Sequence, residues 1–569
     1  MQNPDIARLF DEVADLLEIK GENPFRIRAY RTAARTILDL SDPLAQLIAE
    51  DADLSELPGI GEDLADKIRT IVKKGSLPLH NQLVKQLSPG VLDLLRIPGI
   101  GPKRVKQLRE KLKVKSAADL AKAIAKGKVE ELPGFGAKMV EKIKAGLSRA
   151  EQKERRLSLP ETEVHARGVV EWLKAGGGVN EIAVAGSYRR RKETVGDLDV
   201  LVTTRAPAKM IERFTKYGDA KEVLASGETR AAIALRGGLQ VDLRVVDPAE
   251  YGAALLYFTG SKAHNIELRQ RAIDRGWKLS EYGVFNGEKR IAGKTEEEVY
   301  AKLDLPWIAP ELRESRGEIA LAEAGRLPRL VELKQIRGDL QMHSKESDGA
   351  TTIEEMAEAA RALGYGYIAI TDHSPRVSMS GLDGAALRDQ WKRIDALNRK
   401  LDGFRILKSV EMDILEDGKL DLPDDVLAEA DYVVATIHYG MNQPERQLTD
   451  RVLGAIASPH VDAIGHPTGR ILGKRDSYPL DFDAVAKAAA RTGCLLELNG
   501  SERMDLPDNL AMAAKAAGCR FVLSTDSHSP RELALMRYAV DLARRAGLEA
   551  KDIANTREVD GFLKALRRA

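Results

Sequence analysis

The pattern of apolar and polar positions divides the chain into stretches of different character. Up to about residue 155 the apolar positions recur at helical spacing, as in "LPGIGEDLADKIRTIVKKG". From about residue 160, short runs rich in Val, Ile and Leu take their place, and such runs predict strands. The candidate strands are "EIAVAGS", "LDVLVTT", "AAIALRG" and "LQVDLRVVD", and a helical stretch follows near 261–276.

The region from residue 338 to the end alternates apolar strands with Ala-rich helices. A polar connector, "LAEAGRLPRLVELKQIR", precedes it near 321–337. Alternation at this spacing is typical of a parallel α/β fold, and seven strand–helix units predict a barrel. The seven candidate strands end near His343, Asp372, Glu411, His438, His466, Asn499 and Asp526.

One short motif recurs three times among the N-terminal helices, as "LPGIG" at 57–61, "IPGIG" at 97–101 and "LPGFG" at 132–136. Glycine has no Cβ, so a Gly-x-Gly turn lets the backbone approach a partner closely. Free N–H groups at the start of the next helix can then bind a phosphate. The repeats resemble the helix-hairpin-helix, which binds the DNA backbone independently of sequence. The resemblance implies DNA contacts at Gly59, Gly61, Gly99, Gly101, Gly134 and Gly136.

Composition and charge favour a folded protein of several domains. The chain has 569 residues, of which 43% are hydrophobic and 31% are charged. The formal net charge is +1, yet residues 101–150 hold 14 Lys and Arg against 5 Asp and Glu. A basic segment in a neutral protein indicates a polyanionic partner such as DNA. On charge alone, a solvated helix face stays open as the alternative.

The same composition bears on the cellular compartment. No apolar run reaches about 18 residues, so no membrane span is expected. The start of the chain lacks the basic segment and apolar core of a secretory signal. Cys494 and Cys519 lie far apart in the sequence and do not suggest a disulfide framework. These features predict a cytoplasmic protein, and without a dimerisation signal we expect a monomer.

Two aspartates are separated by a single residue in "GSYRRRKETVGDLDVLV", at 186–202. Alternate strand residues point to the same side, so Asp197 and Asp199 share one face while Leu198 packs on the other. Carboxylates a few Å apart repel, and a divalent cation removes that conflict. Mg²⁺ ions held by carboxylates and substrate phosphates suit phosphoryl transfer. "LQVDLRVVD" offers Asp242 as a third carboxylate from a neighbouring strand.

The stretch "GSYRRRKETVGDLDVLV" resembles the nucleotidyltransferase signature of family X DNA polymerases, of which polymerase beta is the familiar member. The resemblance implies that Asp242 also activates the primer 3′-hydroxyl. It implies three ligands of Mg²⁺ or Mn²⁺, which are Asp197, Asp199 and Asp242. It implies contacts to the triphosphate of an incoming dNTP from Ser187, Arg190 and the backbone of Gly196.

"YFTGSKAHNIELR" matches the next motif of that family. By resemblance, Tyr257 and Phe258 contact the sugar, and Gly260 lies at a tight turn. Asn265 would contact the incoming base, and Arg269 the template side; four positions apart, they share a helix face. Other nucleotidyltransferases, such as tRNA-end or antibiotic-modifying enzymes, share Gly-Ser and Asp-x-Asp. They lack the helix-hairpin-helix repeats and the "YFTGS" segment.

The N-terminal stretch "NPFRIRAYRTAARTI" resembles the small lyase domain of polymerase beta. Tyr30 matches that pattern, and Lys67 falls where the family has its Schiff-base lysine. Asp63 stands where the pattern has another lysine, and at four positions from Lys67 it predicts an ion pair. An ion pair favours the protonated amine, whereas a Schiff base needs the free amine. The sequence therefore favours 5′-phosphate binding by Lys67, with 5′-deoxyribose-phosphate lyase activity as the alternative.

Histidines mark the ends of the C-terminal candidate strands. Of six histidines beyond residue 335, five occur near the end of an apolar run, at His343, His373, His438, His466 and His528. Active sites of α/β barrels collect at the carboxyl ends of strands. Imidazoles with carboxylates and without thiolate suit Zn²⁺, Mn²⁺ or Fe²⁺.

The C-terminal motifs, in order "DLQMHSKESDG", "ITDHS", "VEMD", "TIHYG", "GHP" and "TDSH", resemble the PHP (polymerase and histidinol phosphatase) domain. The resemblance implies a metal-dependent phosphoesterase in which Glu411 bridges two metals and a bound hydroxide attacks phosphorus. The implied ligands of Zn²⁺ or Mn²⁺ are His343, Asp348, His373, Glu411, His438, His466, Asp526 and His528. The family often has His-x-His in its first motif, and here Gln341 replaces the first histidine. A glutamine oxygen binds Zn²⁺ more weakly than imidazole does, so one site is expected to be weaker or to prefer Mn²⁺.

The resemblance covers nearly the whole chain and implies a multidomain architecture of helical, α+β and seven-stranded α/β barrel parts. The helical parts are a polymerase beta-like N-terminal domain at 1–85 and a fingers-like domain at 86–155. The others are a nucleotidyltransferase palm at 156–250, a thumb-like domain at 251–320, a linker at 321–337 and a distorted TIM-like PHP barrel at 338–569.

The expected function is a DNA polymerase that fills short gaps in primer–template DNA during base excision repair. The PHP domain would act as a 3′-5′ exonuclease, with AP-endonuclease or 3′-phosphatase activity as further reactions. In the alternative hypothesis, the PHP domain is a catalytically inert scaffold.

Overall fold

The computed structural model of the chain describes residues 3–40, 44–88, 90–95, 97, 99–152, 156–377 and 381–566. The chain forms two compact units. The first comprises Met1–Tyr188, Thr194–Thr259 and Ala272–Val299. The second comprises Arg189–Glu193, Gly260–Arg271 and Tyr300–Ala569.

The first part of the chain is helical, as its apolar periodicity predicts. Its helices are α1 (Asn3–Lys20), α2 (Pro24–Asp39), α3 (Leu44–Ala49), α4 (Glu62–Lys74), α5 (Pro78–Leu87), α6 (Val91–Leu95), α7 (Pro102–Leu112), α8 (Ala117–Ala125) and α9 (Ala137–Gln152). One apolar core runs through them, from Ile6 on α1 to Ile143 on α9. Side-chain caps help to fix where helices begin; Asn23, for example, accepts the Phe25 N–H at the start of α2.

The region expected to form the palm follows, and it has α+β structure. Its elements are β1 (Leu157–Ser158), α10 (Leu159–Ala175), β2 (Val179–Val184), α11 (Gly186–Arg189), β3 (Thr194–Val195), β4 (Asp197–Thr204), α12 (Pro207–Thr215), β5 (Ala220–Ser226), β6 (Arg230–Leu235) and β7 (Gln240–Val245). The main sheet has the order β2-β4-β7-β6-β5, and within it β4 and β7 run parallel. Strands β1 and β3 were not predicted, because each has only two residues. Strand β5 was not predicted either, because its mostly exposed side chains lack an apolar pattern.

A smaller α+β region comes next. It contains α13 (Tyr251–Thr259), α14 (Lys262–Ile273), β8 (Lys278–Ser280), β9 (Gly283–Asn286), β10 (Lys289–Ala292), α15 (Glu296–Lys302) and α16 (Glu318–Glu323). Helix α14 confirms the helical stretch predicted near 261–276. The three short strands form an antiparallel sheet in the order β10-β9-β8. They were not predicted, since strands of three or four residues give little periodicity.

The C-terminal region is a seven-stranded parallel barrel, as predicted. Its elements are β11 (Gly338–Asp339), α17 (Ile353–Ala362), β12 (Tyr367–Ile370), α18 (Gly384–Asn398), β13 (Arg405–Asp413), α19 (Asp424–Leu427), β14 (Tyr432–Thr436), α20 (Glu445–Ala457), β15 (Ala463–Ile464), α21 (Phe482–Thr492), β16 (Leu495–Asn499), α22 (Asp508–Ala516), β17 (Phe521–Ser524), α23 (Met536–Arg545) and α24 (Val559–Leu563). The strands follow one another in sequence order, and β12, β14, β16 and β17 are buried throughout. Burial on both faces explains their continuous apolar runs.

The barrel is nearly closed between its first and last strands. Met342 and Ser527 form an isolated parallel bridge beyond β11 and β17. At the other end, the buried Asn555 amide donates to the carbonyl oxygens of Gly338 and Leu523, both at 2.8 Å, and accepts the Leu523 N–H at 3.0 Å. These bonds satisfy backbone groups that the incomplete strand pairing leaves over. Among the described residues, no helix has the length and apolar character that a membrane crossing requires.

Candidate active sites

Three carboxylates lie on one face of the palm sheet. Asp199 of β4 pairs in parallel register with Asp242 of β7, and Asp197 lies two residues earlier on β4. Leu198 and Val200 are fully buried, whereas Asp199 is partly exposed. The structure thus brings together the aspartates that the sequence placed on the open side of the strand, with the apolar residues inside.

Gly186 contacts this carboxylate group closely, and sequence reasoning assigned it no role. Its φ is +66°, and an ideal Cβ there would lie 2.9 Å from Asp199 Oδ2. Glycine is therefore required both by the backbone conformation and by the space. Ser187 follows on α11, Gly196 lies at the bend before β4, and Gln240 Nε2 donates to Asp242 Oδ2 at 2.8 Å.

The two aromatic residues expected to contact the sugar lie side by side on α13. The rings of Tyr257 and Phe258 meet edge to face, with centroids 5.1 Å apart. The Arg244 guanidinium lies 4.3 Å from the centroid of Phe258, in cation–π geometry. Arg244 on β7 was not singled out from the sequence, although it follows Asp242 on the same face of the strand.

The other residues expected to bind the nucleotide belong to the second unit. Arg190 Nε pairs with Glu314 Oε1 at 3.0 Å. Gly260 has a φ of +70°, and an ideal Cβ there would lie 3.1 Å from Arg190 Nη1. Asn265 and Arg269 lie one turn apart on α14, as their spacing predicts. The structure therefore brings the "TGS" turn next to the arginine of the first signature.

The two glycines of each repeated turn differ in conformation. The first of each pair has a left-handed backbone, with φ of +73° at Gly59, +89° at Gly99 and +82° at Gly134. The second of each pair, Gly61, Gly101 or Gly136, immediately precedes a helix, and an ideal Cβ there would meet no atom of the described residues within 4 Å. The first glycine thus makes the turn, and the second leaves the helix start open to a partner.

Lys67 on α4 is paired as its spacing predicts. Its ammonium donates to the Asp63 carboxylate and, at 3.3 Å, to the Asp63 carbonyl oxygen. Tyr30 is buried next to this pair, and burial raises the pKa of its hydroxyl. The structure therefore brings together Tyr30, Lys67 and Asp63, the three residues that bear on the lyase hypothesis.

Glu411 lies at the centre of the histidine cluster in the barrel. Its Oε2 is 3.4 Å from His343 Nε2 and 3.2 Å from His373 Nδ1. Its Oε1 is 3.4 Å from His438 Nε2 and 3.0 Å from His466 Nε2. Each oxygen thus faces two imidazoles, an arrangement that suits a carboxylate bridging two cations.

The remaining ligand candidates surround His343. Asp526 Oδ1 lies 3.1 Å from His343 Nε2, and Asp348 Oδ1 lies 3.6 Å from its Nδ1. Asp348 Oδ2 is also 3.4 Å from both His373 Nε2 and His528 Nε2. All eight candidates therefore form one cluster at the carboxyl ends of the strands, within which three overlapping groups could each hold a metal ion.

The protonation of each histidine in the cluster depends on its burial and on the neighbouring carboxylates. Burial lowers the pKa of His438 to about 3, so this imidazole is neutral. Burial also opposes charge on His373, yet the Glu411 and Asp348 carboxylates raise its pKa to about 9. Against burial, Asp348 likewise raises the pKa of His528 to about 10. Protons on these imidazoles occupy the lone pairs that a cation would take, so binding a metal releases them.

The environment of the Gln341 side chain bears on whether the cluster fits a metal ion. Its side chain is fully buried, and neither Oε1 nor Nε2 has a hydrogen-bond partner among the described residues. An ideal Cβ on Gly465 would lie 3.2 Å from Gln341 Oε1, which places the amide beside the strand end that carries His466. An unpaired buried amide costs about 1–3 kcal/mol, and a cation bound through Oε1 would remove that cost. Facing imidazoles, carboxylates and this amide fit divalent cations.

Sequence reasoning did not identify the side chains that hydrogen-bond to the predicted metal ligands. Glu497 on β16 accepts the His466 N–H at 2.5 Å, and burial raises the pKa of its carboxyl to about 8. Arg503 Nε donates to Asp526 Oδ2 at 3.1 Å. The available signal was "LELNGSER", where a charged residue interrupts an apolar strand and an arginine follows it. Such groups orient ligands and set their basicity.

Comparison with known families assigns nearly every region of the chain. The helical region matches models described as a helix-hairpin-helix domain (residues 1–77) and a SAM-like helix-hairpin-helix tandem (91–149). The central region matches the DNA polymerase beta palm (156–228) and the DNA polymerase beta thumb (254–314). Residues 339–501 match the PHP domain.

Similar proteins support this assignment over the full length. The chain is 41% identical over 574 residues to the DNA polymerase/3′-5′ exonuclease PolX of Bacillus subtilis (strain 168), covering 99% of this chain and 100% of that protein. It is 31% identical over 244 residues to a probable phosphatase of Thermoanaerobacter sp. (strain X514), covering 40% of this chain and 95% of that protein. A probable phosphatase of Syntrophotalea carbinolica is 34% identical over 229 residues, covering 38% of this chain and 90% of that protein.

A palm with three clustered carboxylates and a barrel with a histidine–carboxylate cluster define the class, a nucleotidyltransferase joined to a metal-dependent phosphoesterase domain. The chain belongs to the family X DNA polymerases that carry a C-terminal PHP domain. Both kinds of domain work with metal ions, and the helix-hairpin-helix regions belong to a DNA-binding polymerase family.

Proposed function

We propose that the protein is a template-directed DNA polymerase that fills short gaps during base excision repair, and that its barrel is a 3′-5′ exonuclease. The observation that carries the first part is the register of Asp199 with Asp242, which gathers three carboxylates with Asp197. The similarity to PolX of Bacillus subtilis, whose name combines both activities, supports the second part. We also propose that the protein acts on DNA in the cytoplasm, the location that the sequence predicts.

In the palm, Asp197, Asp199 and Asp242 would hold Mg²⁺ or Mn²⁺. Bound there, the ions would neutralise the triphosphate and favour ionisation of the primer 3′-hydroxyl. Ser187 and Arg190 would hold the triphosphate, and Gly196 would donate a backbone contact.

The other groups would position the rest of the nucleotide. Tyr257 and Phe258 would pack on the sugar, with Gly260 leaving room at the turn. Asn265 would contact the base, and Arg269 the template side. Such contacts convert binding energy into orientation of the reacting groups.

DNA would be held at the open helix starts that follow Gly61, Gly101 and Gly136. The partial positive charge at a helix N-terminus favours phosphate. No atom of the described residues lies within 4 Å of an ideal Cβ at these glycines, which leaves room for the DNA backbone. The excess of nine positive charges within residues 101–150 adds sequence-independent attraction. Lys67 would bind the 5′-phosphate at the far side of a gap.

In the barrel, Zn²⁺ or Mn²⁺ held by the eight-residue cluster would supply a nucleophilic hydroxide at neutral pH. The cluster's own side chains would orient the 3′-terminal phosphodiester, and Glu411 would keep the positive charges together. Incision at abasic sites and removal of 3′-phosphates are the same hydrolysis at other phosphate esters. We propose Mn²⁺ for the site next to Gln341, since this ion accepts oxygen ligands readily.

An inert, structural barrel is the second candidate function, and the observation in its favour is Gln341 in place of histidine. The test uses a 5′-labelled primer on a template with Mn²⁺ and without nucleotides. Wild type and Asp199→Asn should shorten the primer, and His438→Ala should not. If none of the three shortens it while wild type extends it once dNTPs are added, the barrel is a scaffold.

A further inference from the structure

A five-residue segment of the palm sequence, Arg189–Glu193, belongs to the second unit together with the barrel. It runs from the end of α11 to the start of β3 and carries Arg190. Along the chain, Arg190 lies three residues after Ser187 and seven before Asp197. Whatever fixes this segment therefore restrains Arg190, one of the residues proposed to hold the triphosphate.

Arg545, at the end of α23, makes the most buried of the contacts with this segment. Its side chain is only 2% exposed. Its Nη1 donates to the Arg190 carbonyl oxygen at 2.6 Å and lies 3.1 Å from Glu314 Oε1. Its Nη2 donates to Asp508 Oδ2 at 2.5 Å. One guanidinium from the barrel domain thus joins the segment backbone to two carboxylates.

Ion pairs fix three side chains of the same segment. Arg190 Nε pairs with Glu314 Oε1 at 3.0 Å. Arg191 Nε lies 3.4 Å from Asp541 Oδ1, one turn before Arg545 on α23. Glu193 Oε2 pairs with Arg470 Nη2 at 2.7 Å. The partners come from three separate parts of the second unit, so the segment is held along its length.

Glu314 connects Arg190 with Arg545, because its carboxylate faces both guanidinium groups. Burial disfavours its charge, yet the two arginines hold the pKa of its carboxyl below the usual range. Its bonds are therefore charge-assisted and strong. Without Arg545, Glu314 would lose one of its two guanidinium partners, and the Arg190 carbonyl oxygen would lose the hydrogen bond from Arg545. Both the backbone and the guanidinium of Arg190 would then change position.

We infer that Arg545 of the barrel domain is a positioning residue for nucleotide addition by the palm. This inference rests on the proposed polymerase function and on the role of Arg190 at the triphosphate. Arg545 acts through Arg190: it fixes the segment's backbone and shares Glu314, which sets the direction of the Arg190 guanidinium. A displacement of about 1 Å in a binding group can cost about a hundredfold in rate, so the restraint matters for activity.

The test compares Arg545→Met with Arg544→Met in the full-length protein. Arg544 is the neighbouring residue on α23, but its contacts are Glu311 Oε1 at 2.7 Å and the Val331 carbonyl oxygen at 3.0 Å. Single-nucleotide gap filling with Mg²⁺ gives KM for the dNTP and kcat. Primer shortening with Mn²⁺ and thermal unfolding are measured on the same preparations.

Arg545→Met should raise KM for the dNTP by about tenfold or more while primer shortening stays close to that of Arg544→Met. Arg545→Lys, which can reach one acceptor, should recover part of that loss. Equal KM in Arg545→Met and Arg544→Met, both folded, would overturn the inference. If wild type itself adds no nucleotide, the proposed function fails first, and the two failures are thereby distinguished.

Asp541→Asn is the second variant if Arg545→Met does not fold. It weakens the ion pair with Arg191 and removes none of the three acceptors of Arg545, which are the Arg190 carbonyl oxygen, Glu314 and Asp508. A KM for the dNTP raised about threefold with unchanged primer shortening supports anchoring of the segment by α23. A KM equal to that of wild type overturns it.

Discussion

His466 Nε2 lies 3.0 Å from Glu411 Oε1, although 55 positions separate the two residues. The other oxygen of Glu411 faces His343 and His373, so one carboxylate stands between two pairs of imidazoles. The charge of Glu411 is therefore the feature that would let two cations lie close together in the barrel.

Glu411→Gln keeps the size of this side chain and removes its charge. We expect bound Mn²⁺ to fall and primer shortening to drop by at least about a hundredfold, because the cations lose a bridging anion. Metal analysis of the purified protein and the Mn²⁺ shortening assay measure the two effects. Glu429→Gln is the control, since Glu429 is an exposed partner of Arg388. Nuclease activity retained by Glu411→Gln would contradict the proposed metal site.

Asp199→Asn should abolish nucleotide addition, with a loss of at least about a thousandfold, because a neutral amide in the register with Asp242 cannot hold the metal ions. DNA affinity should stay close to wild type, since the proposed contacts to DNA lie elsewhere. Primer extension and fluorescence anisotropy give the two quantities. Asp247→Asn is the control, as the Asp247 carboxylate accepts the Ala249 N–H in the turn after β7. Extension at the wild-type rate by Asp199→Asn would remove the palm site from consideration.

Substituting the second glycine of a repeat should weaken DNA binding without affecting folding. Within the part of the chain that the structure describes, an added methyl group at Gly61 or Gly101 meets no atom within 4 Å, so stability should change little. The methyl group would stand where we propose that a DNA phosphate approaches, and we expect affinity for gapped DNA to fall about fivefold, or about 1 kcal/mol. Equilibrium binding and thermal unfolding of Gly61→Ala and Gly101→Ala measure both.

The matched control for these variants is Gly59→Ala. Gly59 has a φ of +73°, and its Cβ would lie 2.5 Å from Thr32 Cγ2. This change should destabilise the helical region by about 1–2 kcal/mol for the left-handed backbone alone. If Gly61→Ala binds DNA as tightly as wild type, the open helix start is not a phosphate contact.

Gln341 predicts opposite effects on stability and on metal binding. Gln341→Leu removes a buried amide that has no hydrogen-bond partner among the described residues, so the metal-free protein should be more stable by about 1 kcal/mol. Affinity for Mn²⁺ should fall, because an oxygen ligand is lost, and Gln341→His should raise affinity for Zn²⁺. Thermal unfolding with and without EDTA and titration calorimetry give these values. Unchanged metal binding in both variants would show that the amide is not a ligand.

Lys67 should form little Schiff base, because its ammonium donates to Asp63. Borohydride reduction on incised abasic DNA should trap little covalent adduct with wild type. Asp63→Ala should raise the adduct about two- to fivefold, the range expected for one exposed ion pair. Lys67→Ala is the control for any adduct seen. An abundant Lys67-dependent adduct with wild type would establish lyase activity instead.

Much of the fold follows from short-range patterns. The helical repeats, the aspartates on one face of β4 and the seven barrel strands are set by the periodicity of neighbouring residues. Strands β1, β3, β5 and β8–β10 were not predicted, because β5 is exposed and the others are very short. The domain motifs also stand in their family order, so the chemistry of both halves could be predicted before any contact was known.

The sequence by itself determined which side chains end the barrel strands, where the glycine turns lie and that Asp197 and Asp199 share a face. Only the tertiary structure decided that Glu411 lies between imidazoles from different strands and that Gly186 leaves room for Asp199. Only it placed Arg545 against the backbone of Arg190, 355 positions away. The reason is physical: periodicity reports which side of its own element a residue faces, whereas contacts between distant elements depend on how strands pair and helices pack.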